Sequence, residues 1–207
     1  MTKNQAGEDR GTRLDPGTVI RAALELLDEK GLDALSTRAV ADRLGVRMNT
    51  VLWHVKTKAS MLELMADAVI GGVAYDGLPE HWRERVRELV RRYRAALLAH
   101  RDGATLVVGT NVAEPHTLRF AEALVGALLD GGFGEREAAW TAWTLSYFTL
   151  GLTQEEQAAA EQPLDGRLAA AVSAGSHPAL HQALDHLGPE SFGERFEYGV
   201  TRILGGG

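Results

Sequence analysis

Apolar residues recur at helical spacing along most of the chain. Ile20, Ala23, Leu24 and Leu27 fall at i, i+3, i+4 and i+7. Ahead of them stands Asp15-Pro16, an N-cap followed by proline at the first helical position, and Lys30-Gly31 closes the run. Ser36 caps a second predicted helix that ends near Leu44-Gly45, and a short third fits residues 49–55. A fourth begins near Lys58 or Ala59, with Met61, Leu62, Met65 and Val69 on one face. Gly71-Gly72 and Gly77-Leu78-Pro79 then break the pattern, which predicts a domain boundary there.

Beyond the break, Trp82, Val86, Leu89, Tyr93 and Leu97 line a fifth helix, with arginines on its other face. Glu88 and Arg92 make a favourable i, i+4 pair on it. A turn at 100–103, a short segment around 105–108 and a helix over 114–130 follow. The stretch 135–161 carries Trp140, Trp143, Leu145, Tyr147, Phe148 and Leu150 on more than one face, the pattern of a helix buried on both sides. The Ala/Gly-rich stretch 169–176 reads as mobile or weakly helical, and helices over 178–187 and 190–204 end the chain. Period-2 alternation of useful length and internal repeats are both missing, so the fold class is all-α. The predicted organisation is a flexible tail at 1–13, a three-helix domain at 14–60, a linking helix at 61–76 and a larger helical domain at 77–207.

Composition narrows the function. The 207 residues are 45% hydrophobic and 24% charged, which suits a soluble globular chain. The absence of cysteine excludes thiol catalysis and Cys-based metal sites. No apolar run is long enough for a membrane span, and residues 1–13 lack the apolar core of a secretory signal, so the cytoplasm is the expected compartment. The net charge is −6, yet residues 36–58 hold Arg38, Arg43, Arg47, Lys56 and Lys58 against Asp42 alone. One compact basic window on an acidic protein suits local binding of a polyanion, or simply a solvated face.

The same window carries the chemistry. Two short helices joined through Gly45 make a helix-turn-helix, with Ala41 small where the helices meet and Val46 and Val51 inside. The second helix then presents Met48, Asn49, Thr50, Leu52, Trp53 and His54 outward. Asn and Thr can reach base edges in the major groove, and apolar groups can meet a thymine methyl. Arg38 and Lys58 flank that helix, placed for phosphates. Trp53 and His54, taken singly, read equally well as caps on the small core.

Residues 36–58, above all Leu52-Trp53-His54-Val55-Lys56-Thr57-Lys58, resemble the DNA-binding domain of the tetracycline-repressor family. The likeness continues in Leu98-Ala99-His100-Arg101-Asp102-Gly103-Ala104, Val108-Gly109-Thr110 and Phe148-Thr149-Leu150-Gly151, and spans about residues 14–204. It implies a ligand-responsive transcriptional repressor, a homodimer on palindromic double-stranded operator DNA, released by a small-molecule inducer. Residues 135–161 and 190–204 would form the dimer interface. DNA contacts would fall on Ser36, Thr37, Arg38, Met48, Asn49, Thr50, Leu52, Trp53, His54 and Lys58. Leu52 stands where the family often has tyrosine, which removes one phosphate contact.

By the same likeness the ligand would meet Tyr93, Val107, Asn111, Phe120, Leu124, Trp143 and Tyr147, with Glu155 at an acidic position nearby. Val107 occupies the place of the histidine through which tetracycline-binding members hold a magnesium–drug chelate. Valine cannot ligate a metal. The resemblance therefore implies no metal, no cofactor and an apolar or aromatic inducer rather than magnesium–tetracycline. Without it, these aromatics at helical spacing read as ordinary core. A nucleophile elbow, a phosphate loop and a His/Glu metal cluster are all missing, which argues against an enzyme. An adaptor without DNA binding, or an activator of the same fold, remains the alternative.

Overall fold

The structure is a computed structural model and describes residues 14–110, 113–161, 166–187 and 192–205. Every regular element among the described residues is helical. Helix α1 (Pro16–Lys30) starts where the Asp15 carboxylate accepts from the Thr18 amide at 2.8 Å. That bond satisfies one of the orphan N–H groups of a first turn, and it holds the Asp15 carboxyl below its ordinary value. The Ser36 hydroxyl caps α2 (Thr37–Leu44) in the same way, accepting from the Ala39 amide at 3.1 Å.

Helix α2 stops at Gly45, which is left-handed at φ 65°, and the Val46 amide reaches back to the Ala41 carbonyl at 3.0 Å. Helix α3 (Met48–Val55) follows directly. Val19, Leu27, Val40, Val51 and Val55 are sealed from solvent between these three helices. Nothing stands within 4 Å of where a Gly45 side chain would be. Gly45→Ala therefore costs only the backbone strain of a left-handed residue, about 1 kcal/mol. Urea unfolding of the full chain measures it, and an unchanged midpoint would contradict the αL assignment.

Helix α4 (Lys58–Ile70) begins on the Thr57 hydroxyl, which accepts from the Ser60 amide. Met61 and Met65 are fully buried. The chain leaves the helix at Gly71-Gly72, so the linking helix, expected over 61–76, occupies Lys58–Ile70. It packs on α1 and α3 at one end. At the other it packs on α6 (Gly103–Val107) and α7 (Pro115–Asp130).

In the larger domain α5 (Trp82–Leu98), α7 and α8 (Glu135–Glu161) pack on one another. The short, solvent-exposed α9 (Arg167–Ala171) and α10 (Pro178–Gln182) follow, with a 3₁₀ turn at Leu184–His186 completing the segment anticipated as one helix over 178–187. Helix α11 (Phe192–Ile203) lies along α8. A Cβ at Gly199 would overlap the Phe148 ring, so only glycine lets α11 sit this close. The arginine face of α5 is not a plain solvent face. Arg91 grips Glu197 of α11 at 2.6 and 2.7 Å, Arg83 reaches the Leu204 carbonyl, and Arg94 pairs with Glu156 of α8. The Arg91 hydrogen bonds, with the nearby charges of Arg87 and Arg94, lower the Glu197 carboxyl below its usual value.

The small domain is also clasped to the large one through the loop 99–102. Asp28 of α1 accepts from the Arg101 amide at 3.1 Å and lies 3.1 Å from His100 Nδ1. Asp102 returns the contact by accepting from the Leu32 amide at 2.7 Å. Helix α8 buries Ala138, Ala142, Leu145, Thr149 and Thr153. The two threonine hydroxyls donate to carbonyls one turn back, so neither is left unsatisfied. In the single chain the opposite face of α8 stays open, with Trp140, Trp143 and Tyr147 all more than half exposed.

Candidate functional site

Two surfaces of the molecule combine side chains that packing alone does not explain. The first is α3. Its inward positions are Val51 and Val55, both at 0% exposure, and the one-turn repeat turns Trp53, midway between them, fully outward. Met48, Asn49 and Thr50 are exposed, Leu52 and His54 half-buried, and Trp53 is 78% exposed. The Trp53 ring meets only the edge of His54, at 4.9 Å between centroids. Of the two readings open for Trp53, the structure contains the exposed one.

Around α3 the charges are sorted. Arg43 is spent within the fold, donating to Glu29 at 2.8 Å and to Glu25 at 2.9 Å, and those bonds raise its already high pKa, through Glu29 first. Arg38, Arg47, Lys56 and Lys58 are exposed and form no ion pair among the described residues. Thr37 and Ser36 are half-buried at the start of α2. Lys58 owes its position to a tight turn. Lys56 has φ 65° and ψ −57°, and the Thr57 amide donates to the Val55 carbonyl at 2.8 Å, which is a γ-turn. This strained link swings the chain from the end of α3 straight into the first turn of α4.

The second surface is a cavity of about 430 Å³ in the large domain. It is walled by α5, α7 and α8, with Val107 and the following residues closing one side and Ile70, the last residue of α4, reaching in. Tyr93, Val107, Phe120, Leu124, Trp143 and Tyr147 all line it. The rings pair: Tyr93 stacks on Phe120 at 4.5 Å, and Trp143 on Tyr147 at 5.3 Å. Burial pushes the Tyr93 phenol far above its ordinary value, so it is neutral. Glu155 is exposed and is not a wall residue, and Asn111 lies outside the described residues.

Sequence reasoning missed Ile70, Thr110, Thr117 and Ser146, which also line the cavity. A helical repeat carried outward from the aromatics finds two of them, since Thr117 is three residues before Phe120 and Ser146 three after Trp143. Ile70 and Thr110 come from other elements and give no such signal. None of the described wall residues carries a carboxylate, imidazole or thiolate. Magnesium demands oxygen ligands in near-octahedral geometry, and this lining does not fit a magnesium chelate.

Asp67 of α4 joins the two regions. It is 6% exposed and accepts from the Thr117 amide and the Thr117 hydroxyl, both at 2.8 Å, and more weakly from the His116 amide at 3.4 Å. A side chain of the linking helix thus caps the first turn of α7, where Glu114 makes no side-chain cap of its own.

Comparison with known proteins matches both domains of the chain. Residues 19–65 match the family described as bacterial regulatory proteins, tetR family, and residues 77–206 match the tetracyclin repressor-like C-terminal domain. The chain is 36% identical to the tetracycline repressor protein class A from transposon 1721 of Escherichia coli, over 94% of this chain and 91% of that protein. A crystal structure of a possible TetR family transcriptional regulator from Streptomyces coelicolor A3(2) superposes with a TM-score of 0.83 at 40% identity, over 93% of this chain and 98% of that one. ActR of Streptomyces coelicolor, crystallised in complex with actinorhodin, superposes with a TM-score of 0.84 at 28% identity, covering 94% and 95%.

Proposed function

Because this chain belongs to the TetR family of bacterial transcriptional regulators, which bind DNA and are not enzymes, we propose that it is a ligand-released repressor. In this reading two copies form a homodimer in the cytoplasm and hold their α3 helices one DNA turn apart, about 34 Å, on a palindromic operator. The open face of α8 and the adjoining α11 make the dimer contact. Met48, Asn49, Thr50, Leu52, Trp53 and His54 face the bases, Ser36, Thr37 and Arg38 contact phosphate and base, and Lys58 holds the backbone. An apolar or aromatic inducer, not magnesium–tetracycline, fills the cavity between Tyr93–Phe120 and Trp143–Tyr147. Asn111 and Glu155 remain candidates for further ligand contacts.

The observation that carries this reading is that α4 belongs to both sites. Its first turn follows the recognition helix through the Lys56 turn, and its last turn ends at the cavity wall with Ile70 and Asp67. A ligand that favours a displaced α4 spreads or tilts the two reading heads. It can weaken operator binding only by its differential affinity for the two forms, typically ~1–3 kcal/mol.

The test is fluorescence anisotropy with DNA flanking the protein's own gene, at several salt concentrations. Binding should be selective and should fall steeply with salt. Lys58→Gln should reduce the slope of log K against log salt by about two, one for each protomer's lost phosphate contact. Arg43→Gln should leave it unchanged, because that charge is already matched by Glu25 and Glu29. Binding that ignores both sequence and Lys58 would overturn the repressor reading.

A further inference from the structure

Three aliphatic hydroxyls line the cavity: Thr110, Thr117 and Ser146. Each has one proton and two lone pairs. In each the proton is already committed to the protein. Thr110 Oγ1 donates to the Val107 carbonyl at 2.7 Å, Thr117 Oγ1 to the Asp67 carboxylate at 2.8 Å, and Ser146 Oγ to the Ala142 carbonyl at 2.9 Å. All three partners are acceptors only, so the direction of every bond is fixed by chemistry rather than by choice of rotamer. Lone pairs are what these hydroxyls have left to offer a ligand. No lysine, arginine, histidine, aspartate or glutamate lines the cavity among the described residues. A charged group of either sign would find no ionised partner in the wall itself.

We infer that the inducer is an uncharged, flat aromatic molecule that carries hydrogen-bond donors, hydroxyl or N–H, on its edge, and that Thr110, Thr117 and Ser146 read those donors as acceptors. This rests on the proposed role of the cavity as the inducer site. The rings supply flat apolar walls, which are tolerant of many aromatic frameworks. The committed hydroxyls supply the discrimination. A site built to accept a donor rejects the analogue that lacks it, because the lone pairs are then desolvated without a partner. The donors that remain in the wall, the indole of Trp143 and the phenols of Tyr93 and Tyr147, sit on the rings themselves.

Equilibrium dialysis of the full chain against three matched probes tests this: a naphthalenediol, its dimethyl ether, and the corresponding naphthalene dicarboxylate. The diol should bind roughly 3- to 10-fold more tightly than the ether, the range of one or two neutral hydrogen bonds, and the dicarboxylate should not bind measurably. Ser146→Ala should narrow the diol's advantage, weakening the diol and tightening the ether, because the ether then no longer covers an unpaired lone pair. That variant keeps a good helix former on α8, and its unfolding midpoint serves as the folding control. Ether binding as tight as diol, or dicarboxylate binding tightest, would overturn the donor inference and leave the cavity as the inducer site. Failure of all three to bind up to their solubility limits would overturn the cavity assignment itself.

Discussion

Trp53→Ala lowers affinity for the operator by roughly 10- to 100-fold, the range of one or two lost base contacts, and leaves the unfolding midpoint nearly unchanged. The two halves of this result come from one number, the 78% exposure of the side chain. A residue this exposed makes few contacts inside the fold. Among the described residues its ring partner is His54, edge-on, so removing it should move stability by no more than about 0.5 kcal/mol. If Trp53 instead capped the small core, truncation would cost about 3–5 kcal/mol and weaken DNA binding only through unfolding. Anisotropy titration and urea unfolding on the same preparation separate the two. Arg38→Ala is the companion variant. It should weaken every sequence through the lost phosphate contact, and the operator further through the lost base contact.

Asp67→Ala should destabilise the chain by about 2–3 kcal/mol and uncouple inducer from operator. The stability loss has two sources. The first turn of α7 loses its cap, and the half-buried amide and hydroxyl of Thr117 lose their acceptor. The uncoupling follows from the same bonds. Asp67 fastens the linking helix to a residue of the cavity wall, and without it α4 no longer distinguishes a filled cavity from an empty one. Operator affinities with and without inducer should converge. Asp67→Asn keeps one acceptor oxygen for Thr117 but places an amide donor against the α7 N–H groups, so it should fall between the two. Full inducer release in Asp67→Ala, at a stability where the chain is folded, would show that the coupling runs elsewhere.

The helical elements were legible because each is locally over-determined. α2 shows this best: Ser36 at one end, Gly45 at the other, and Val40 and Ala41 facing in are all cues within ten residues. The exposed set on α3 was legible for the same reason, since Val51 and Val55 fix which way the helix faces. Element bounds drifted elsewhere. The linking segment was bounded at 61–76, whereas the helix itself spans Lys58–Ile70 and stops at the Gly71-Gly72 break that the sequence already shows. The 178–187 segment has a proline start but no strong apolar stripe, and it forms one short helix and a 3₁₀ turn.

The aromatic wall of the cavity emerged only through family likeness, because Tyr93 or Trp143 at helical spacing looks the same whether it faces core or cavity. Charge was misleading in a different way. Arg43 counts toward the basic window in sequence, yet Glu25 and Glu29 of α1, more than a dozen residues away, neutralise it.

What the sequence by itself determined about this protein is the all-α class, the reading head and the orientation of its recognition helix. These depend on periodicity, caps and turn residues that act within a few positions of one another. What only the tertiary structure decided is the direction of chemistry at a distance. Asp67 meets Thr117 across fifty residues, Ile70 reaches the cavity from the linking helix, and three hydroxyls from separate segments converge on one space with their protons already spent. Hydrogen-bond direction and cavity shape are properties of groups brought together by packing, and no local pattern along the chain encodes them.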